Sequence, residues 1–447
     1  MLEPDEQRVP NAQVLLFSSP ILGVFMSGAL INFYLLKFST DVLLIAPALV
    51  GTLLLAARVW DGITDPAIGW LSDRTNTRLG RRRPWFLASA LPLGASIVML
   101  WSPPDTLDGT GLTLWVAAAV LIYYTAYTAF RVPHIAMAAE LSRGYHDRTR
   151  VFGILQALEN IGMLGAAGAV VFLEQAEDPR RVARLLALAM GGFATVLIVL
   201  VVVRLKERAE FQGRGGAKPW KSFGDVLTNP HSRFLIGIFL LEQIGFTALL
   251  ALIPYVSDYV LKTPGSTGLY LFGAIGGSLA SIPLWLRLSA RYGKIRMWRL
   301  TIAVKSALLA LIFFVGEGGF APMIALSIGI GVMNGGGAII GPSLKADVID
   351  WDEAETGERK EGTYFAAWDF VQKCASGVSV WIVGLVLSVS GFEPNVEQSQ
   401  QTIVGITLLV SALPCAVHLV ALALMMRFAL DETAHKHARA RASARAH

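Results

Sequence analysis

Twelve apolar segments of membrane-spanning length constrain the fold of this chain more than any other feature. A bilayer core about 30 Å thick is crossed by about 20 apolar residues in a helix, which satisfies its own backbone hydrogen bonds where no water is present. The segments lie near residues 14–37, 44–71, 85–103, 112–139, 152–173, 183–204, 234–261, 268–290, 298–316, 320–346, 363–390 and 402–428. The sequence therefore predicts an all-α membrane protein with twelve transmembrane helices.

Composition also indicates a membrane protein and argues against a nucleic-acid partner. Only 16% of the 447 residues are charged, whereas soluble proteins average about 25%. The net charge of +5 comes from basic residues gathered in the loops between apolar segments, which is the topology signal of a membrane protein. We therefore expect membrane lipid as a partner, no nucleic acid, and a monomer.

The basic loops predict the orientation of the chain. They cover residues 72–84, 140–151, 205–233 and 291–299, together with the C-terminal tail. If twelve spans alternate, all of these lie on one side, and positively charged loops stay in the cytoplasm. We therefore expect a multi-pass protein of the cytoplasmic (inner) membrane with both termini in the cytoplasm.

The longest loop divides the spans into two groups of six. The predicted organisation is a six-helix bundle at 1–207, a cytoplasmic middle loop at 208–232, a second six-helix bundle at 233–430 and a basic cytoplasmic tail at 431–447. Pro66 and Arg74 at the end of span two recur as Pro283 and Arg291 at the end of span eight. Two such repeats are typical of a transporter whose substrate site lies near the midplane.

Two aspartates, Asp61 and Asp65, lie four residues apart inside span two. This spacing puts both on one helical face, about 6 Å apart. A carboxylate inside a bilayer is costly and is seldom kept without a partner or a function. Because carboxylate oxygens bind small cations and protons, the pair predicts a cation site. Arg58 lies on the same face, so a structural Arg58–Asp61 ion pair is the alternative.

Further polar side chains lie near these carboxylates or at similar depth in other spans. Thr64 and Thr128 can each offer a hydroxyl oxygen to a sodium ion, or can bond back to their own helices. Lys373 lies about 15 Å above the cytoplasmic face. It can compete with a cation for the carboxylate pair, or can pair with Asp369 on its own helix. Arg131 lies at similar depth, and snorkelling to the surface is its alternative.

Aromatic residues in the spans are candidates for contact with a substrate. Tyr127 and Trp368 can stack on a sugar ring and hydrogen-bond to it, although most aromatic residues in spans only pack. Lys305 in span nine is expected to extend towards the membrane surface. The sequence has no nucleotide-binding lysine motif, metal-spaced Cys/His set or nucleophile elbow. We therefore expect a protein that is not an enzyme and that needs no cofactor besides a coupling ion.

Four segments resemble one known family. Residues 58–66 (RVWDGITDP) resemble the span-two signature of the glycoside–pentoside–hexuronide:cation symporters. Residues 69–85, 133–150 and 347–373 resemble the family's loop after span two, its span-four exit and its connection between spans ten and eleven. The resemblance implies a major facilitator fold of two six-helix bundles that works by alternating access.

The resemblance also assigns roles to individual residues. It implies that Asp61 and Asp65 hold the coupling cation with help from the hydroxyls of Thr64 and Thr128. It implies that Lys373 lies between the cation and substrate sites, with Arg58 beside the carboxylates. The residues of the family's cytoplasmic conformational motif are Gly69, Asp73, Arg74 and Arg82.

Three positions depart from the pattern of the family's sugar transporters. In that pattern, acidic side chains in spans one and four and an arginine in span five hold the sugar. Alignment from nearby motifs places Phe25, Arg131 and Gln156 at these positions. Losing two acids and gaining an arginine favours a different substrate, such as one that bears a carboxylate. The apolar Phe25 would also suit the acyl chain of an amphiphile.

The predicted function is cation-coupled symport of a sugar, glycoside or hexuronide-like solute, with Na⁺ or H⁺ as the coupling ion. One alternative is cation-coupled transport of a lysolipid or another amphiphile. An alternative of another class is a non-transporting membrane sensor. Retention of Asp61, Asp65 and Lys373 favours a transporter, because a sensor need not keep a cation site.

Overall fold

The computed structural model describes residues 8–142, 145–205, 207, 223–356 and 361–428. Most of the predicted middle loop and the whole predicted tail lie outside the described residues. The long helices are α1 (Asn11–Leu35), α2 (Pro47–Arg74), α3 (Arg83–Trp101), α4 (Gly109–Leu141), α5 (Tyr145–Glu174), α6 (Pro179–Arg204), α7 (Pro230–Val260), α8 (Thr267–Tyr292), α9 (Lys294–Phe314), α10 (Phe320–Thr356), α11 (Glu361–Val389) and α12 (Gln400–Arg427). A short helix, Phe223–Thr228, precedes α7. The prediction of an all-α membrane protein is confirmed.

Eleven of these helices are long and apolar enough to cross a membrane. The remaining long helix is α2, which has 28 residues and is therefore roughly 42 Å long. It has the length of a span, but Arg58, Asp61 and Asp65 lower its hydropathy. The one long helix with too low a hydropathy to be recognised as a span is thus the helix that carries the predicted cation site. This is expected where charge serves a function within the bilayer.

The chain divides into two compact units, Met1–Lys218 and Pro219–His447. In the first unit, α2 packs on α4, α3 packs on α4 and α6, and α1 packs on α5. In the second unit, α8 packs on α10, while α7 packs on α11 and α12. The contact between α2 and α4 brings the carboxylates of span two next to side chains of span four.

Small residues allow the closest helix contacts in each unit. A Cβ atom on Gly94 of α3 would lie 2.8 Å from the carbonyl oxygen of Gly191 on α6, so only glycine permits this approach. In the second unit, a Cβ atom on Gly331 of α10 would lie 2.0 Å from the carbonyl oxygen of Ala274 on α8. Close backbone contact of this kind is a main source of helix association in membranes.

The backbone has the same conformation at the ends of α1 and α7. A π-helical turn, Phe38–Val42, follows α1, and another, Val256–Val260, completes α7. A non-glycine residue with positive φ follows each turn, Leu44 at 58° and Lys262 at 50°. The backbone N–H groups of Leu43 and Ile45 donate the hydrogen bonds that close the first end. Those of Leu261 and Thr263 close the second end in the same pattern. The first helix of each unit therefore ends in the same way, which extends the internal repeat seen at the ends of spans two and eight.

Candidate functional site

The hydroxyl of Thr128 joins the two aspartates of α2. Its Oγ1 lies 3.2 Å from Asp61 Oδ1 and 2.9 Å from Asp65 Oδ1. Asp61 is 0% exposed and Thr128 is 1% exposed, while Asp65 is half-buried. The packing of α2 on α4 therefore brings three of the four predicted cation ligands into one oxygen-rich group with partial access at Asp65.

The fourth predicted ligand, Thr64, bonds within its own helix. Its hydroxyl donates to the carbonyl oxygen of Trp60 at 3.1 Å, which is the common behaviour of threonine in spans. Among the described residues, no group of three or more His, Cys, Asp or Glu side chains is arranged to hold a metal ion. Hydroxyl, carbonyl or water oxygens would therefore have to complete the coordination of any cation bound at the two carboxylates.

Arg58 is held beside this group by three neighbours. Its Nη1 lies 3.5 Å from Asp61 Oδ2, and its Nη2 donates to Asn32 Oδ1 at 3.1 Å. The guanidinium also lies 4.6 Å from the centroid of the Tyr124 ring, in cation–π geometry. The predicted alternative of an Arg58–Asp61 ion pair is therefore present in the structure. One guanidinium and two ionised carboxylates carry a net charge of −1, which a monovalent cation or a proton would neutralise.

Asn32 is a site residue that sequence reasoning missed. Its side-chain amide donates to the carbonyl oxygen of Gly28 at 2.9 Å, which turns its oxygen towards Arg58. An amide within an apolar span carries an unmet hydrogen-bonding demand, and that is the signal that could have identified it.

Arg131 pairs with Glu159 of α5. The Nη2–Oε1 distance is 2.5 Å, and both side chains are mostly buried, at 20% and 11% exposed. Arg131 therefore binds a partner inside the unit instead of extending along its helix to the surface. Of the other predicted substrate contacts, Phe25 and Tyr127 are half-buried, and Gln156 is exposed.

Lys373 and Trp368 lie on α11 in the second unit. The Lys373 ammonium is 3.7 Å from a carboxylate oxygen of Asp369, so the predicted pairing within the helix is present. Trp368 is 3% exposed and stacks against Tyr364. The hydroxyl of Tyr364 accepts a hydrogen bond from Asn229 at 2.9 Å, which fixes the position of this aromatic pair.

The expectation that Lys305 extends to the membrane surface is wrong. Lys305 is 5% exposed and its ammonium lies 2.8 Å from Glu242 Oε1. It also donates to Asn334 at 3.2 Å, and the indole of Trp298 donates to the other Glu242 oxygen at 2.9 Å. A carboxylate on α7 thus holds the lysine of α9 inside the second unit, a contact that depends on tertiary packing.

The predicted conformational motif forms a charged cluster at the ends of α2, α3 and α4. Arg82 contacts Asp73 at 2.9 Å and Glu140 at 2.9 Å, and Arg81 contacts Glu140 at 2.6 Å. Arg74 instead stacks on the Trp70 ring at 4.1 Å. Gly69 faces Val132 of α4, where a Cβ atom would come within 3.6 Å of the valine side chain.

Glu207 completes this cluster and was missed by sequence reasoning. Its carboxylate accepts hydrogen bonds from the backbone N–H groups of Arg81, Arg82 and Arg83, at 2.8, 2.7 and 2.7 Å. Gly80 has a φ of +110°, and a Cβ atom there would lie 2.7 Å from Glu207 Cδ. The residue just beyond α6 therefore binds the first turn of α3, and only glycine fits between them.

The connections that follow α7, α9 and α11 carry a separate ion-paired group. Lys262 lies 3.1 Å from Glu397 and 3.3 Å from Glu317. Hydrogen bonds to Glu397 and then Glu317 raise the pKa of Lys262 above its ordinary value. These pairs are exposed and contribute little to stability.

The chain is similar to known transport proteins over nearly its full length. Residues 16–432 match the family described as MFS/sugar transport protein. The chain is 28% identical to the glucuronide carrier protein homolog of Escherichia coli, covering 92% of this chain and 90% of that protein. It is 26% identical to the sodium-dependent lysophosphatidylcholine symporter 1-A of Danio rerio, covering 91% and 83%. A crystal structure of a mutant of the nucleoside transporter NupG matches with a TM-score of 0.68 and 11% identity, covering 93% of this chain and 100% of that one.

Proposed function

Because this chain belongs to the MFS/sugar transport protein family and is a multi-pass membrane symporter of the major facilitator type, we propose that it couples the movement of Na⁺ or H⁺ to the movement of a sugar-derived solute. It is a transporter and not an enzyme. Basic loops support a cytoplasmic-membrane location with both termini in the cytoplasm. Coupling would follow from alternating access of one cation site and one solute site.

The contact of one hydroxyl with two carboxylates carries the proposal of cation coupling. Thr128 Oγ1 lies within 3.2 Å of an oxygen of both Asp61 and Asp65. A hydroxyl has one hydrogen to donate and two lone pairs to offer. Without a cation, the hydrogen relieves repulsion between the carboxylates. With a cation, the hydroxyl can turn its lone pair inward and become a ligand.

The charge of the group sets what it binds. Arg58 offsets one carboxylate, so the remaining charge of −1 matches a single Na⁺ or a single proton. Binding of either removes a net charge from the membrane interior, which lowers the cost of moving the site between its two access states. Lys373 is the proposed coupling residue, since a lysine can act as an internal substitute for the cation.

The proposed solute is a sugar, glycoside or hexuronide-like molecule, with a hexuronide favoured. The departures at Phe25, Arg131 and Gln156 remove the acidic acceptors of a neutral-sugar clamp, and a relative of 28% identity is named as a glucuronide carrier homolog. A lysolipid is the second candidate. The half-buried Phe25 suits an acyl chain, and the Danio rerio relative is named as a lysophosphatidylcholine symporter.

The cation site is testable without knowledge of the solute. The melting temperature of the purified protein is measured in NaCl and in choline chloride at equal ionic strength, at about pH 6 and pH 8. A Na⁺ site occupied at 100 times its Kd adds about 2.7 kcal/mol to the free energy of unfolding. A proton-coupled site instead makes the melting temperature fall as the pH rises across this range. Asp61→Asn is expected to abolish whichever response the wild type shows.

Two substitutions at Thr128 provide matched controls. Thr128→Val keeps the shape of the side chain and removes the hydroxyl. We expect it to need about tenfold more Na⁺ for the same rise in melting temperature, which is the effect of losing one polar ligand. Thr128→Ser keeps the hydroxyl and is expected to respond like the wild type. A wild-type response retained by Asp61→Asn would remove this site from the coupling mechanism.

A further inference from the structure

Several basic side chains within the membrane-spanning helices lie within 4.0 Å of a carboxylate, in the pairs Arg58–Asp61, Arg131–Glu159, Lys305–Glu242 and Lys373–Asp369. Lys345 of α10 has no carboxylate within that distance among the described residues. Lys345 lies one residue before the predicted end of span ten, where a lysine either extends to the membrane surface or meets an anionic ligand.

Two aromatic rings of α11 lie beside the Lys345 ammonium. Its Nζ lies 4.8 Å from the centroid of the Phe365 ring and 5.1 Å from that of Trp368. Cation–π contacts favour the ammonium but leave its donors available for an anion. Trp368 is held from behind by Tyr364, whose hydroxyl is fixed by Asn229. These contacts position Trp368 beside Lys345, and a preformed surface lowers the cost of binding a ligand there.

The neighbouring surface of α11 is exposed and carries both polar and apolar side chains. Asp369 is 62% exposed, and Phe365 is 47% exposed. An exposed carboxylate on a membrane-spanning helix faces water and not lipid. The surface therefore combines an ammonium, an apolar ring and a carboxylate that can accept hydrogen bonds from hydroxyl groups.

We propose that Lys345, Phe365 and Asp369 form the solute-binding surface of the second unit and take a carboxylate-bearing sugar. Lys345 donates charge-assisted hydrogen bonds to the sugar carboxylate, and Phe365 packs against the C–H face of the sugar ring. Asp369 accepts hydrogen bonds from the sugar hydroxyl groups. This inference rests on the proposed function and adds residues of the second unit that would recognise the solute favoured there. Lys345, and not Arg131, is proposed to bind the sugar carboxylate, because Glu159 already balances the charge of Arg131.

The test compares two sugars that differ only at one carbon. Methyl β-D-glucuronide carries a carboxylate where methyl β-D-glucoside carries a hydroxymethyl group. Binding of each to the full chain in lipid nanodiscs is measured by calorimetry at saturating NaCl and at about pH 6. The wild type is expected to bind the glucuronide at least about tenfold more tightly, the effect of a charge-assisted hydrogen bond.

Four variants separate a binding role from a structural one. Lys345→Met and Lys345→Gln are expected to bind the two sugars with affinities within about twofold of each other. Lys345→Arg keeps the charge and is expected to retain the preference. Lys294→Met removes a lysine that pairs with Asp347 at 2.7 Å on the neighbouring helix, and is expected to behave like the wild type.

Several results would overturn the proposal. One is an unchanged preference in both neutral Lys345 variants, which is the outcome if this lysine only extends to the membrane surface. Another is a wild type that binds neither sugar or prefers the glucoside, and lysophosphatidylcholine binding in the same assay would then identify the amphiphile alternative. The response of the wild type to Na⁺ or pH tests the cation site by itself, so a failure of cation coupling is distinguishable from a failure of this assignment.

Discussion

Arg131 and Glu159 show how a charged residue inside a membrane helix is kept. Their 2.5 Å contact joins α4 to α5, with both side chains mostly buried. Removing one partner of a buried pair leaves an uncompensated charge and costs about 3–5 kcal/mol, whereas replacing both partners by apolar residues is often tolerated. We therefore expect Arg131→Met to lower the melting temperature more than the double variant Arg131→Met/Glu159→Met. Losses that simply add in the double variant would show that the pair does not form in the folded protein.

The residues that could be predicted from the sequence differ physically from those that could not. Asp61 and Asp65 stand out because a carboxylate in an apolar helix is costly whatever surrounds it. Glu207 lies just outside a helix, where a charge is ordinary, so only its contact with the first turn of α3 reveals its role. The sequence also could not show that Lys305 meets Glu242, because the two residues lie on different helices 63 positions apart.

At the scale of the helices, apolar length predicts that a helix exists but not where it ends. Span ten was predicted to end near residue 346, whereas α10 continues to Thr356. The residues beyond 346 include five acidic side chains, so no apolar run marks them. Lys294 at the start of α9 supports this extension by a 2.7 Å ion pair with Asp347. The helix therefore continues beyond the apolar segment because side chains of another helix provide partners there.

The contact between Glu207 and α3 gives a prediction for one helix end. Glu207 accepts three consecutive backbone N–H groups, from Arg81 to Arg83. We expect Glu207→Ala to increase hydrogen exchange at these three amides by about tenfold, since one net charge-assisted bond is worth about 1.5 kcal/mol or more. Mass spectrometry of exchanged peptides measures the effect.

A matched substitution tests the same contact from the other side. Gly80→Ala places a Cβ atom against Glu207 Cδ and strains a φ of +110°, and is expected to expose the same amides. Arg78→Ala, in the same loop, is the control and is expected to leave them protected. Exchange that is unchanged in both Glu207→Ala and Gly80→Ala would show that the carboxylate does not hold the start of α3 in solution.

At the scale of the whole molecule, the two proposed sites belong to different units. All ligands of the proposed cation site lie on α2 and α4 of the first unit, and the proposed solute surface lies on α10 and α11 of the second. The proposals thus place the coupling cation in the first unit and assign part of the solute site to the second. Coupling between them is then a free energy carried by the change of state of the whole chain, and it acts equally in both directions.

This division predicts how variants separate cation and solute binding. In the wild type, Na⁺ and methyl β-D-glucuronide are expected to raise the melting temperature together by more than the sum of their separate effects, because coupling of about 1–3 kcal/mol is usual between linked sites. Asp61→Asn is expected to lose the Na⁺ increment and the excess while it keeps a response to the sugar. Lys345→Met is expected to lose the sugar increment and the excess while it keeps the response to Na⁺. If Asp61→Asn abolished sugar binding as completely as Lys345→Met, the separation of the proposed cation site from the Lys345 surface would be wrong.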